Sequence, residues 1–233
     1  MDHKRLTLFA GHYGSGKTNI AVNYALLLAS EGKKVCIGDL DIVNPYFRTK
    51  DSEEVLKNAG IDLVSPQFAN SNVDLPALPA EAYRLVADRQ TYGIMDIGGD
   101  DRGAYALGRY VPAIREENDY RMVFVANCYR PLTATAEDAM EVMREIEQAC
   151  GLRFTDIINN SNLGEETTPE TVLLSLDYIN KLCKLSGLPL FATSATAQVA
   201  EKLEIAGEVI PMQLQEKYFD LPSQKPGNRP LWG

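Results

Sequence analysis

The sequence predicts an α/β fold in which helices flank a mostly parallel sheet. Short apolar runs, many rich in β-branched residues, alternate with amphipathic stretches along the chain. Most of these runs are apolar throughout, which is typical of strands that helices cover on both faces. A glycine-rich loop, GHYGSGKT at residues 11–18, joins the first apolar run to an apolar helix over residues 20–29. Together these features favour a P-loop nucleotide-binding domain.

About seven strands are predicted from the apolar runs. Because each is followed by a stretch with helical character, the strands are expected to pair in parallel through helical crossovers. They span residues 6–10, 35–38, 62–64, 93–97, 121–126, 156–159 and 190–193.

Several helices have recognisable ends. Asp51 with Glu54 three residues later predicts a capping box, and Gly60 predicts a left-handed stop. Pro112 is expected to kink or restart a helix over residues 103–117.

Two later helices are predicted from a start signal and from periodicity. Thr168 and Pro169 form an N-cap followed by proline at the first helical position, and Gly187 closes that helix. Within residues 134–150, apolar side chains recur at helical spacing and are expected to face the sheet. These are Ala139, Met143, Ile146 and Cys150.

Length and charge limit the function classes. A chain of 233 residues that is 45% hydrophobic can bury a large core, so residues 1–216 are expected to form one domain. Residues 217–233, rich in proline, are predicted to be an extended tail. The net charge of -9 and the lack of a basic run exclude nucleic acid as the expected main partner.

The cysteines and the amino terminus predict a cytoplasmic protein. Five residues, LTLFA, separate MDHKR from Gly11, too few for a signal-peptide core or a membrane anchor. The four cysteines are widely spaced, which signals neither disulfides nor a metal cluster. They are Cys36, Cys128, Cys150 and Cys183, of which Cys128 follows a strand and could lie near a site or a twofold axis.

The loop at residues 11–18 fits every fixed position of the pattern G-x-x-x-x-G-K-[ST]. Its glycines let backbone N–H groups turn inward around phosphates, and the following helix adds its positive end. Lys17 is predicted to reach the β- and γ-phosphates as a catalytic residue, and the Thr18 hydroxyl to bind Mg²⁺. The predicted ATP-binding residues of this segment are Gly11, His12, Tyr13, Gly14, Ser15, Gly16, Lys17, Thr18 and Asn19.

Three carboxylates follow predicted strands. Asp39 and Asp41 point the same way if their strand continues, and could orient a water molecule or hold the water shell of Mg²⁺. Asp96 ends another apolar strand, as expected of a carboxylate that holds Mg²⁺ through water. The DIGG sequence at 96–99 places a backbone N–H where it could meet a γ-phosphate.

The base is predicted to be adenine. A guanine-binding chain would carry N-K-x-D after a late strand, whereas this chain has N-C-Y-R at 127–130. The sequence IINNSN at 157–162 puts amides at the end of the next strand, suited to an adenine edge. Either Asn159 or Asn160 could make that contact, and both could instead cap turns.

The segment GHYGSGKTNIAVNYALLLASEGKKVCIGDLDIVNP, with DIGG and IINNSN, resembles the ParA/MinD group of P-loop ATPases, whose relatives include nitrogenase iron protein and the CobQ/CobB enzymes. The resemblance implies a nitrogenase iron protein-like sheet of about seven strands with its site at the carboxyl edge. It further implies an ATP-dependent homodimer. By this analogy Asp41 positions the attacking water, Asp39 and Asp96 belong to the Mg²⁺ shell, and Asn160 contacts adenine.

The chain departs from this group at one position of the loop. The group's loop begins K-G-G, and its first lysine reaches the partner's nucleotide, whereas His12 and Tyr13 stand here. Histidine is shorter and mostly neutral at pH 7, so it does not replace a fixed cation. His12 could donate a hydrogen bond to a phosphate or only pack at the rim of the loop.

The leading functional hypothesis is a Mg²⁺-dependent ATP-binding protein and slow ATPase that switches an unidentified protein partner. One alternative is an ATP-dependent enzyme that activates a small carboxylate, as CobB and dethiobiotin synthetase do, with the loop at 65–79 framing the substrate. The other is an ATP-binding scaffold with little hydrolysis.

Overall fold

The computed structural model describes residues 2–40, 49–64, 80–99 and 101–214. In these ranges eight strands form one sheet in the order β3-β2-β4-β1-β5-β6-β7-β8, and every neighbouring pair is parallel. The strands are β1 (Leu6–Ala10), β2 (Val35–Leu40), β3 (Asp62–Val64), β4 (Tyr92–Ile97), β5 (Tyr120–Ala126), β6 (Asp156–Asn159), β7 (Leu190–Thr196) and β8 (Val209–Met212). The predicted α/β class with a parallel sheet is confirmed.

The expected number of strands was one too few. The strand that the sequence analysis missed, β8, is four residues long and contains Pro211, which argues against a strand in a sheet interior. Because β8 pairs only with β7 at the edge of the described sheet, proline is tolerated there. Two other strands end later than predicted: β2 reaches Leu40, which places Asp39 inside it, and β7 reaches Thr196. Strands β4 and β5 each begin one residue earlier than predicted.

The described part of the chain contains nine α-helices that pack on both faces of the sheet. They are α1 (Lys17–Ser30), α2 (Glu53–Asn58), α3 (Arg84–Ala87), α4 (Asp101–Gly108), α5 (Val111–Glu117), α6 (Ala136–Cys150), α7 (Pro169–Leu174), α8 (Leu176–Ser186) and α9 (Ala197–Ala200). Helix α1 covers one face, and α4, α5, α6 and α8 cover the other. In this part of the chain no helix combines the length and the apolar character needed to cross a membrane.

Most predicted helix ends are confirmed. Gly60 and Gly187 adopt left-handed conformations after α2 and α8, and Thr168 forms a capping box. The restart at Pro112 is also confirmed, because α5 begins one residue before it. The apolar stripe of α6 is buried as expected.

Two boundaries differ from the predictions. A 3-10 turn, Thr49–Ser52, precedes α2, so the residue before the helix is Ser52 and the capping box expected from Asp51 does not start it. The single helix expected between Pro169 and Gly187 is broken at Ser175. The Ser175 hydroxyl donates to the Val172 carbonyl (2.6 Å) and accepts from Asn159 Nδ2 (2.9 Å), so the break fixes a residue at the end of β6.

A buried arginine joins three parts of the fold at the edge of the sheet opposite the glycine-rich loop. Arg5 and Glu117 are both more than nine-tenths buried, and the Arg5 guanidinium donates two hydrogen bonds to the Glu117 carboxylate. Arg5 Nη1 also donates to the carbonyls of Leu85 (3.0 Å), Asp88 (3.2 Å) and Thr91 (3.0 Å). The ion pair therefore holds β1, α5 and the turn before β4 together.

Replacing Arg5 by alanine is expected to lower the free energy of unfolding by about 3–5 kcal/mol, because it leaves the Glu117 carboxylate buried without its partner. Urea denaturation followed by circular dichroism measures this change. The control is Lys181→Ala, which breaks an exposed pair with Glu137 and is expected to cost about 1 kcal/mol or less. Equal losses of unfolding free energy in the two variants would show that burial of the Arg5–Glu117 pair does not increase the cost of removing one partner.

Candidate functional site

The glycine-rich loop lies between β1 and α1, at the carboxyl edge of the sheet. Gly14 (φ 75°) and Gly16 (φ 90°) adopt left-handed conformations that other residues rarely reach, so the loop turns sharply before the helix begins at Lys17. Among the described residues no side chain caps the start of α1, and the first turn of this helix contains no acidic residue. The positive end of a 14-residue helix therefore faces the loop and favours an anion there.

Lys17 is buried under this loop. Its side chain is 5% exposed, and Nζ donates to the carbonyl of His12 at 3.2 Å. Since the ammonium lies within the curve of the loop, it is placed to bind the phosphates of a nucleotide. Thr18, the next residue, is half-buried on the first turn of α1.

Two buried carboxylates lie beside each other on neighbouring strands. Asp39 of β2 is opposite Asp96 of β4 in the ladder, and they are 2% and 1% exposed. Ile37 lies two residues before Asp39, and Ile94 lies two residues before Asp96. Both isoleucines pack on the face of the sheet that α1 covers. Because side chains alternate along a strand, both carboxylates lie on the α1 face near the loop.

This donor set fits Mg²⁺. Two adjacent buried carboxylates repel each other, so a nearby cation stabilises them. The carboxylates of Asp39 and Asp96 and the hydroxyl of Thr18 are the hard oxygen ligands that Mg²⁺ prefers. A fourth polar group, the Thr49 hydroxyl, donates to Asp96 Oδ2 at 3.0 Å and orients that carboxylate.

The backbone after β4 is closely packed at two glycines, Gly99 and Gly103. A methyl group added to Gly99 would lie 2.7 Å from the backbone nitrogen of Tyr13 and 2.8 Å from Lys17 Nζ. A methyl group on Gly103, in the first turns of α4, would lie 2.5 Å from Cα of Gly98. A side chain therefore does not fit at Gly99, which lies against the loop, or at Gly103, which lies against Gly98.

The two amide side chains at the end of β6 have different surroundings. Asn160 Nδ2 donates to the carbonyl of Ser15 in the loop (2.6 Å), and its Oδ1 accepts from the Ser194 hydroxyl (2.6 Å). Asn159 instead bonds Ser175, away from the loop. The structure thus brings Asn160, and not Asn159, to the phosphate loop, where a methyl group on Gly16 would clash with it at 2.3 Å.

His12, Tyr13 and Asn19 have mainly local contacts. His12 Nδ1 donates to the carbonyl of Tyr13 at 2.8 Å, which directs one ring nitrogen back to the loop itself. The Tyr13 side chain is 56% exposed. Asn19 accepts from the Asn23 amide through its carbonyl (2.8 Å) and its side chain (3.2 Å).

Some predictions fall outside the described residues. These are the catalytic role of Asp41, the loop at 65–79 and the tail at 217–233. The four cysteines are free thiols, with Cys36 and Cys150 buried and the other two half-buried. Burial raises the pKa of the Cys36 thiol to about 11.

Sequence reasoning missed three contacts of the site: Thr49 with Asp96, Ser194 with Asn160, and Arg130 with the loop. The Arg130 guanidinium lies against Gly14, since a methyl group there would be 3.8 Å from Nε. Each contact joins residues that are more than 30 positions apart and lie on different elements. No local pattern indicates such pairs, and only the order of the strands brings them together.

Comparison with known proteins gives a family and a fold. The CbiA family model, described as the CobQ/CobB/MinD/ParA nucleotide binding domain, matches residues 6–167. Among curated proteins, no sequence matches.

Several solved structures share the fold at low sequence identity. The cell division protein FtsY of Thermotoga maritima is 15% identical with a TM-score of 0.55, and the match covers 83% of this chain and 62% of that one. Chloroplast FtsY of Physcomitrella patens is 17% identical (TM-score 0.54; 83% and 59%). The signal recognition particle 54 kDa protein of Aeropyrum pernix K1, solved in complex with GDP, is 18% identical (TM-score 0.51; 79% and 40%). The chain thus spans about three-fifths or less of the length of these proteins.

Proposed function

The chain belongs to the CobQ/CobB/MinD/ParA family of P-loop nucleotide-binding domains, and on that premise we propose that it is a Mg²⁺-dependent ATP-binding protein and slow ATPase. Its bound nucleotide is proposed to switch the interaction with a protein partner. The observation that carries this proposal is the pair Asp39 and Asp96, buried side by side on the face of the sheet that α1 covers. Lys17 and Thr18 begin α1, the helix that covers this face. The proposed phosphate and metal ligands therefore lie on one face of the sheet.

The metal ligands have separate proposed roles. When bound, Mg²⁺ would neutralise the charge on the β- and γ-phosphates. Thr18 is proposed to bind the metal directly, and Asp39 and Asp96 to hold its water molecules. Thr49 keeps the Asp96 carboxylate oriented through its hydrogen bond. Asp41 is proposed to position the attacking water.

Adenine is the proposed base. The Watson–Crick edge of guanine presents two neighbouring donors, which a carboxylate accepts, whereas adenine presents one donor and one acceptor, which an amide matches. The loop after β6 carries two amides. The Asn160 amide is bonded to the phosphate loop and to Ser194, and the next amide, Asn162, donates to the Asn160 carbonyl (2.7 Å) and accepts from the Gly164 N–H (3.1 Å). This amide chemistry supports ATP, and GTP is the alternative that a test must include.

The proposed switch acts through the segment after β4. Because Gly99 lies against both Tyr13 and Lys17, a γ-phosphate bound between these residues would contact or displace the Gly98–Gly99 backbone. The segment leads directly into α4 and would pass a change at the phosphate to that helix. An ATP-dependent homodimer is proposed as the assembly. The four free cysteines are typical of a reducing compartment, so we place this switch in the cytoplasm.

The test is the ATPase rate per subunit, measured over a hundredfold range of protein concentration with Mg²⁺ and with EDTA. The proposal predicts a slow rate that needs Mg²⁺ and rises with protein concentration. Asp39→Asn is expected to lower the rate at least about tenfold at a fixed Mg²⁺ concentration, because it removes a charge from the metal shell. Asp177→Asn, an exposed carboxylate on α8, is the matched control.

Two outcomes would contradict parts of this proposal. If no ATP hydrolysis is found at any concentration, the chain is not an ATPase. If the rate per subunit is constant over the whole range, hydrolysis does not depend on a dimer.

A further inference from the structure

We propose that Arg130 is a phosphate-contacting residue that binds the terminal phosphate of the nucleotide held by its own chain. The inference rests on the proposed function, because it adds a residue to the same site. Arg130 lies in the turn after β5, and neither the phosphate-loop pattern nor the metal ligands include it.

The first observation is the position of the guanidinium. A methyl group added to Gly14 would lie 3.8 Å from Arg130 Nε, 3.9 Å from Cζ and 4.0 Å from Cδ. These are ordinary van der Waals distances, so the end of the Arg130 side chain lies beside the position that a Gly14 side chain would take. Gly14 adopts a left-handed conformation, so the loop turns sharply beside Arg130.

The second observation is that the turn holding Arg130 is fixed by its own hydrogen bonds. The N–H groups of three successive residues are used: Cys128 donates to Ser161 Oγ (3.2 Å), Tyr129 to Asn127 Oδ1 (3.0 Å), and Arg130 to the Asn127 carbonyl (3.2 Å). Each bond is made inside the fold, since Asn127 and Ser161 are buried.

The far side of the turn is held in the same way. The N–H of Thr133 donates to the Arg130 carbonyl (3.0 Å), and its hydroxyl donates to the Asn127 carbonyl (2.8 Å). The Tyr129 hydroxyl donates to the carbonyl of Thr171 in α7 (2.7 Å). The backbone is therefore set before any ligand arrives, which is how a binding side chain is pre-organised.

The third observation is charge. Among the residues that the structure describes, no carboxylate forms an ion pair with Arg130, whose side chain is exposed. The chain has a net charge of -9, yet Arg130, a cation beside the phosphate loop, has no carboxylate partner among these residues. A guanidinium carries five donors in a plane and matches the oxygens of a phosphate.

The order of the strands indicates which phosphate Arg130 meets. Strands β4 and β5 flank β1, so Gly99 approaches the loop from one side and Arg130 from the other. They reach neighbouring residues, Tyr13 and Gly14, whereas Asn160 reaches the loop further along, at Ser15 and Gly16. Arg130 therefore lies at the end of the site where Gly99 and Lys17 are, which is the end for the terminal phosphate.

The test is the affinity of Arg130→Ala and Arg130→Lys for ADP and for the non-hydrolysable ATP analogue AMP-PNP, measured by titration calorimetry with Mg²⁺. Loss of one charged contact to the terminal phosphate predicts that Arg130→Ala weakens AMP-PNP about tenfold and ADP less than about threefold. The lysine variant, which keeps the charge but not the planar fork, should lie between Arg130→Ala and the wild type. Arg144→Ala, an exposed arginine on α6, is the matched control and should bind both nucleotides as the wild type does.

Three results would overturn the inference. Unchanged AMP-PNP affinity in Arg130→Ala removes Arg130 from the site, while wild-type binding still supports the proposed function. An equal loss of affinity for ADP and for AMP-PNP shows that Arg130 does not meet the third phosphate, which only AMP-PNP carries. A wild-type chain that binds neither nucleotide overturns the proposed function together with this inference.

Discussion

Replacing Lys17 by alanine is expected to weaken the binding of Mg²⁺-ATP at least about 100-fold, because a desolvated charged contact to phosphate is lost. Lys17 is a buried residue, and the hydrogen bond from its ammonium to the His12 carbonyl places that group under the curve of the loop. Titration with a fluorescent ATP analogue measures the change.

The matched control is Lys181→Ala, which removes an exposed ammonium from α8. That variant should bind ATP with the affinity of the wild type. If Lys17→Ala binds as tightly as Lys181→Ala does, the nucleotide is not held by this loop, and the site must be sought elsewhere.

Replacing Gly99 by alanine is expected to lower ATP turnover at least about 100-fold, in the range seen when one preorganised donor is lost from an active site. The added methyl would lie 2.7 Å from the Tyr13 nitrogen and 2.9 Å from its Cα, and these backbone atoms cannot move aside as a flexible side chain can. The segment after β4 must therefore withdraw from the loop. Turnover at saturating ATP, compared with the affinity for ADP, measures the effect.

Gly108→Ala is the control for this change, since a methyl at the end of α4 meets its nearest neighbour, the Cys150 carbonyl, at 3.7 Å. It should leave turnover unchanged. ADP affinity in Gly99→Ala is expected to stay within about threefold of the wild type, because the proposed contacts of the β-phosphate are with the loop and not with the Gly99 segment. A Gly99→Ala variant with normal turnover would show that this close packing has no role in hydrolysis.

Local signals in the sequence were sufficient for most of the fold. The strands β1, β3 and β6 were predicted with the bounds that the structure has, because each apolar run ends at a polar residue or a glycine turn. The glycine stops and the restart at Pro112 were also predictable, since they depend on the backbone preferences of single residues. The edge strand β8 was not, because Pro211 opposes a strand unless the edge position is known.

The site was predictable only in part. Lys17, Asp39 and Asp96 were identified because motifs mark them, but the pairing of the two carboxylates depends on the register of β2 with β4. Which of Asn159 and Asn160 reaches the loop depends on Ser175 and Ser15, which lie 16 and 145 residues away along the chain. Arg130 had no signal at all, since an arginine in a turn is ordinarily a surface charge.

The most direct test of the central claim is equilibrium binding of AMP-PNP and of the GTP analogue GMP-PNP to the wild-type chain, each with Mg²⁺ and with EDTA. We expect that AMP-PNP binds once per chain and that Mg²⁺ strengthens this binding. GMP-PNP is expected to bind at least about tenfold more weakly, because the proposed contact to the base is an amide and not a carboxylate. Binding of GMP-PNP in preference to AMP-PNP, or no binding of either with Mg²⁺ present, would contradict the central claim.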